Sequence, residues 1–220
     1  MPVIVVASPK GGAGKSTTAV VLGTEMAHAG AEVVLLDCDP NRSISLWAER
    51  RPPPPRITVQ SDVSEAEIVR TIKRYDADGR VVIVDLEGVA SRLVSRAISQ
   101  ADLVLTPMRA TTLDATIGIR ALSLVAEEEE ALGRPIRQAV VFTMTRAVKS
   151  KQHTAIEASL LGQGVDVVQP PLMERSAFSA LFEFGGDLRS IPAQGRMEAA
   201  IGNAALFAAE IYKRLVEKAA

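Results

Sequence analysis

The nonapeptide Pro9-Lys10-Gly11-Gly12-Ala13-Gly14-Lys15-Ser16-Thr17 constrains this chain more than any other stretch. An apolar run, Val3 to Ala7, precedes it, and a helix-like run, Lys15 to Ala29, follows. Strand, glycine loop and helix is the setting of a phosphate-binding loop. Glycines let backbone N–H groups close around phosphate oxygens, and the helix N-terminus adds partial positive charge at the same point. In that pattern Gly11, Gly12, Ala13 and Gly14 cradle the phosphates, Lys15 reaches the outer ones, and the Ser16 hydroxyl, with Thr17 beside it, faces Mg²⁺. The loop departs from the usual G-x-x-x-x-G-K-[ST] form: Pro9 replaces the first glycine, and Lys10 adds a second lysine.

Apolar, β-branched runs recur along the chain at 3–7, 33–36, 81–84, 103–106, 139–142 and 165–168, with a shorter one at 57–60. They are continuous rather than alternating, as strands buried on both faces are. Helical patterns separate them, giving a doubly wound, mostly parallel α/β sheet with its ligand site at the strands' C-terminal ends. With 220 residues and 47% hydrophobic content, the expectation is one domain spanning 1–220. Ser43–Arg50 reads as a short helix with Leu46 and Trp47 inward, followed by the stiff run Pro52–Pro55. The final helix, roughly Arg196 to Lys218, carries an inward stripe at Met197, Ile201, Ala204, Ala208, Ile211 and Leu215.

Two further segments carry carboxylates to the same edge. Val33-Val34-Leu35-Leu36 runs into Asp37-Cys38-Asp39-Pro40, and Val81-Val82-Ile83-Val84 runs into Asp85. An aspartate at the tip of a buried strand beside a phosphate loop is placed to hold a Mg²⁺-bound water. The single cysteine, Cys38, excludes an intrachain disulfide and cysteine-based clusters, and it reads as a buried filler. Isolated His28 and His153 read as surface residues.

The lysine-bearing loop with the D-x-D-P and aspartate-ended strands resembles the ParA/MinD superfamily of deviant phosphate-loop ATPases, in its small form without an N-terminal helix-turn-helix domain. That resemblance implies ATP and Mg²⁺ as cofactors and a nucleotide-sandwich homodimer. Lys15 would act in cis and Lys10 in trans, across the dimer, on the partner's nucleotide. It implies that Asp39 orients the attacking water, that Asp37 and Asp85 support the metal with Ser16, and that Arg146 and Pro171 border the base. The helix opened by Thr111-Thr112-Leu113-Asp114 would join the dimer face.

The resemblance also implies non-specific binding to double-stranded DNA and a ParB-like or cargo-adaptor partner that stimulates hydrolysis. The cargo would be a plasmid or chromosome region. The formal charge is −1, yet residues 134–220 hold 11 Lys/Arg against 8 Asp/Glu, and Arg189, Arg196, Lys213 and Arg214 are the expected DNA-facing cations. Lys149 and Lys151, close after Arg146, form a second expected phosphate contact. No leader or membrane-length apolar run is evident, so the expected location is cytoplasmic, on the nucleoid, without membrane binding. Alternatives stay open: the same ATPase positioning a protein assembly or serving DNA transfer, a filament-former, and a metabolic ligase of shared fold, which Lys10 argues against.

Overall fold

The computed structural model describes residues 1–88, 91–193 and 195–217. Seven strands form one sheet: β1 (Val3–Val6), β2 (Val33–Cys38), β3 (Ile57–Ser61), β4 (Val81–Leu86), β5 (Leu103–Met108), β6 (Arg137–Thr145) and β7 (Leu172–Met173). Their order is β3-β2-β4-β1-β5-β6-β7, and every pairing is parallel. The intervening helices are α1 (Lys15–His28), α2 (Ser43–Arg50), α3 (Ile68–Ala77), α4 (Arg92–Ile98), α5 (Thr112–Leu132), α6 (Lys151–Gly162), α7 (Ser176–Phe184) and α8 (Met197–Val216). The end of the last helix expected at Lys218 lies outside the described residues.

Strand parity explains the continuous apolar runs. Ile4, Val6, Val33, Leu35, Ile83 and Leu105 pack into one core with residues of α1, α7 and α8. Their neighbours Val5, Val34, Leu36, Val82, Val84 and Val104 face a second core with residues of α3, α4 and α5. Each strand residue therefore meets helices on one side or the other, and none needs to be polar until the strand ends. Because β1 lies between β4 and β5, the chain leaves the sheet in opposite directions around it, and the loop after β1 falls at the crevice so formed.

Several expectations are corrected. The run 165–168 is no strand but a single bridge, Val140 to Val167, and pairing with β6 resumes only at Leu172–Met173. Pro170 and Pro171 stand between the two and have no N–H to donate, so a ladder cannot run through them. His153 is buried, with its ring 4.8 Å from that of Phe142. His28 is exposed, as expected, and its Nε2 pairs with Asp187 at 2.5 Å. In α2, Leu46 points outward while Trp47 is fully buried and donates from Nε1 to the Gly186 carbonyl at 2.9 Å. On α8 the buried stripe runs through Ala200, Ala204, Phe207, Ala208 and Ile211, with Met197, Ile201 and Leu215 at its margin.

The Trp47 contact ties α2 to the turn after α7. Trp47→Phe keeps most of the ring but leaves the Gly186 carbonyl without its donor, and is expected to cost about 1–3 kcal/mol. Equilibrium urea denaturation of the two proteins checks this.

Candidate active site

The loop between β1 and α1 is held open by two glycines with specific jobs. Gly14, which caps α1, has φ 89°, and a Cβ there would come within 3.2 Å of the Thr143 side chain. Gly88, just past β4, would place a Cβ 3.1 Å from the Pro9 carbonyl oxygen. The loop is braced from the β5 and β6 side. Thr143 donates from Oγ1 to the Ala13 carbonyl at 2.7 Å, and Arg109 donates to the Gly12 carbonyl at 3.1 Å. Thr143 and Arg109 were not singled out from sequence, since their role depends on contacts across 130 and 97 residues.

Behind the loop the charged groups converge. Lys15 is buried, with Nζ 3.9 Å from Asp39 Oδ2. Asp39 is also a turn: its Oδ1 accepts from the Asn41 backbone N–H at 2.9 Å and from Asn41 Nδ2 at 2.8 Å. Asp37 lies inside β2 rather than beyond it, and stands in register with Asp85 of β4. Both carboxylates therefore leave the sheet on the same face, beneath the start of α1. Asp37 Oδ2 accepts from the Ser45 backbone and hydroxyl, each at 2.7 Å, so the same carboxylate fixes the first turn of α2.

Asp85 is fully buried, and neither of its oxygens has a hydrogen-bond donor in good geometry among the described residues; Asp37 Oδ1 is likewise unpartnered. Burial drives the Asp85 carboxyl from 3.8 to about 7; Asp37 and Asp39 push the same way, while the Ser16 hydroxyl and Lys15 pull it down. Unpartnered buried carboxylate oxygens beside a hydroxyl are what a Mg²⁺ site requires. No group of three or more His, Cys, Asp or Glu forms a cage among the described residues, so the remaining ligands would be water and phosphate oxygens.

Two cavities meet at this loop. One, about 260 Å³, is lined by Gly11, Gly12, Gly14, Lys15, Ser16, Thr17, Asp39 and Asn41 among others. The second, about 130 Å³, is lined by Thr143, Leu172–Arg175, Phe178 and Ser179. Gly14, Thr17 and Met144 belong to both. Met144 is exposed at a register shift in β6, with φ 51°, which turns it toward the mouth shared by the two. Arg146 lies exposed just beyond β6 and lines neither cavity. Pro171 is buried behind Leu172, its carbonyl accepting from Asn203 Nδ2 at 2.8 Å. Lys10 is turned toward α5, where it pairs with Asp114.

The expected DNA-facing cations are unequal. Arg189 makes a two-point contact with Glu25 at 2.6 and 2.9 Å, and Arg214 makes one with Asp166 at 2.9 Å on each arm. Lys149 is held by Glu157 at 2.6 Å. Arg196 is exposed, and Lys213, also exposed, lies 3.7 Å from Glu217.

A family model described as VirC1 protein matches residues 1–194. A protein named ParA from Rhizobium radiobacter is 64% identical over 219 residues, which cover 99% of each chain. VirC1 from the same organism is 29% identical over 195 residues, 84% of this chain and 82% of that one. Among solved structures, the ATP complex of an McdA variant from Cyanothece superposes with a TM-score of 0.74 at 18% identity, covering 100% of this chain and 98% of its own. At that identity the likeness speaks for the fold.

An acid whose pKa is raised by folding holds its proton more tightly when folded, so stability falls as pH rises from the ordinary value to the raised one. For Asp85 that window runs from about 4 to about 7. Nucleotide-free Asp85→Asn is therefore expected to be more stable than the parent at pH 8, by about 1–4 kcal/mol, with the gap closing toward pH 4. Urea denaturation across pH without Mg²⁺ checks it.

Proposed function

This chain belongs to the VirC1 family of ParA-type partition ATPases, and on that premise we propose that it hydrolyses ATP to ADP and phosphate in a cycle of dimerisation that positions a cargo. The observation that carries the reading is the convergence of buried Lys15, Asp39 and two partner-deficient carboxylates behind a glycine loop. Lys15 neutralises the outer phosphates, and the loop N–H groups with the α1 N-terminus hold the rest. The phosphate chain fills the larger cavity, and the base enters the smaller one against Met144 and Phe178. Arg146 and Pro171 would act there as surroundings of the base, not as walls of the cavity.

Ser16, with Asp37 and Asp85 through water, would hold Mg²⁺, which supplies charge neutralisation at the β- and γ-phosphates. Asp39 accepts a hydrogen bond from the attacking water and aims its oxygen at the γ-phosphorus. The bond from that phosphorus to the ADP oxygen breaks as the new one forms. Positioning and fixed charge do most of this work, as in other phosphoryl transfers.

Lys10 acts in trans in a nucleotide-sandwich homodimer. That dimer binds double-stranded DNA non-specifically through exposed cations such as Arg196 and Lys213, and a ParB-like or adaptor partner stimulates turnover and releases it. The ParA name of the 64% identical relative supports partition as the role, with a plasmid or chromosome region as cargo on the nucleoid. A second reading, the same cycle positioning a protein assembly, is favoured by the ion pairing of Arg189, Arg214 and Lys149, which leaves fewer cations for phosphate contact. No described helix is long and apolar enough to cross a membrane.

DNA binding measured with ATP, with ADP and without nucleotide, at two salt concentrations, separates the readings. Binding with ATP alone, weakening with salt, supports partition on DNA; ATP-dependent dimers that ignore DNA in every state support the second reading. Lys15→Ala is expected to abolish nucleotide binding in calorimetry. Asp39→Ala is expected to bind ATP and accumulate as dimer, and an unchanged phosphate-release rate would remove Asp39 from the catalytic role.

A further inference from the structure

Another cavity lies behind the phosphate loop, on the sheet face covered by α4 and α5, and the site described above makes no use of it. Its volume is about 160 Å³. Val94 and Ile98 of α4, Val104 of β5, and Leu124 and Val125 of α5 form its apolar wall. Ala7, Gly88 and Ala121 also border it, and their small size leaves the space unfilled. Protein interiors pack as tightly as organic crystals, so an apolar hollow of this size forfeits contacts until something occupies it. For scale, an apolar cavity of about 150 Å³ takes one benzene ring.

The polar groups around the hollow are few and unpaired. Thr106 of β5 stands in its wall, 0% exposed, and its Oγ1 has no hydrogen-bond partner among the described residues. A valine there would have the same shape and no polar group to leave unsatisfied, so the hydroxyl calls for a partner. Half-buried Glu87 and exposed Arg120 line the same cavity. Among the described residues they form no ion pair or hydrogen bond, with each other or with any neighbour. A ring for the hollow, a polar tip for Thr106, an ammonium for Glu87 and a carboxylate for Arg120 describe one class of small molecule. We propose that this cavity is an effector site for a free aromatic α-amino acid with a polar ring tip, of which tyrosine is the simplest case. Ser8 and Pro9, where the phosphate loop begins, complete the wall with Gly88. Gly88 approaches so closely that a Cβ on it would lie 3.1 Å from the Pro9 carbonyl oxygen. A ring seated behind Pro9 and Gly88 holds the loop and the segment after β4 in one arrangement, and nucleotide then meets a loop already ordered. This effector role rests on the ATP reading above, whereas binding of the amino acid does not.

The test is isothermal titration calorimetry on the full chain, with tyrosine, phenylalanine, N-acetyltyrosine, tyramine and glycine as probes. Tyrosine is expected to bind one to one, and glycine, which has no side chain, to give no signal. N-acetyltyrosine lacks the ammonium and tyramine lacks the carboxylate, so each should bind about tenfold more weakly. Arg120→Gln should weaken tyrosine by a similar factor while leaving tyramine unchanged, because only tyrosine has a carboxylate to lose. Thr106→Val should bring tyrosine down to the level of phenylalanine. Saturating tyrosine should tighten a non-hydrolysable ATP analogue about fivefold, and the analogue should tighten tyrosine by the same factor, since such coupling is reciprocal.

Absence of saturable tyrosine binding at millimolar concentration overturns the proposal, and so does equal binding of tyrosine, N-acetyltyrosine and tyramine. Tyrosine binding that leaves the affinity for the analogue unchanged overturns the effector role while leaving the ATP reading intact. If the parent binds no analogue at all, the ATP reading fails and takes the effector role with it, and the amino-acid titrations then decide the site alone. Should Thr106→Val melt well below the parent, Arg120→Gln, altered at an exposed position, carries the comparison.

Discussion

A carboxylate without a donor, at the centre of a parallel sheet, is the condition on which the rest of this molecule turns. Asp85 is completely buried between β2 and β1, in register with Asp37 on one side and Val6 on the other. Nothing in a purely structural account calls for a charge there, since every residue of β4 before it is apolar. Its ionised form is favoured by the Ser16 hydroxyl and by the Lys15 charge of the loop above, and the unpartnered oxygens on Asp37 and Asp85 would suit a hydrated divalent cation. A cation or ligand that bound there would stabilise the folded chain by mass action.

The residues that build the site do so in pairs across the crevice. From one side, β2 and α2 share Asp37 through Ser45, so the segment around Asp39 is anchored at both of its ends. From the other side, Thr143 and Arg109 brace the loop against β5 and β6. Trp47 and the Glu25–Arg189 and His28–Asp187 contacts then fasten α1 and α2 to the stretch after α7. The two cavities are consequently one mechanical unit, with Gly14, Thr17 and Met144 as their common wall.

Much of this was legible in the sequence, for a physical reason. The loop's lysines and glycines, the strand-end aspartates and the continuous apolar runs are local signals, each set by its immediate neighbours. Ser45, Thr143 and Arg109 act through contacts that close only once the sheet has formed, and no spacing rule announces them. The error at 165–168 has a different origin: apolar composition was right for burial, but the prolines that follow decide how long a ladder lasts. His153 misled because a lone histidine is as compatible with a ring packed on Phe142 as with water. The cations of the last third were legible as charge and illegible as ion pairs, since Glu25 and Asp166 lie far from them along the chain or on another element.

The brevity of β7 has a consequence for self-assembly. It offers only two residues as the sheet's outer rung, and the two prolines before it cannot donate to an incoming chain. An open strand edge is a template for further strands, and here that edge is blunted next to the smaller cavity. Copies of this chain meeting on that flank have no ladder to extend. They must associate through side chains of loops and helices, contacts that can be made and broken by a change of charge rather than by peeling backbone from backbone.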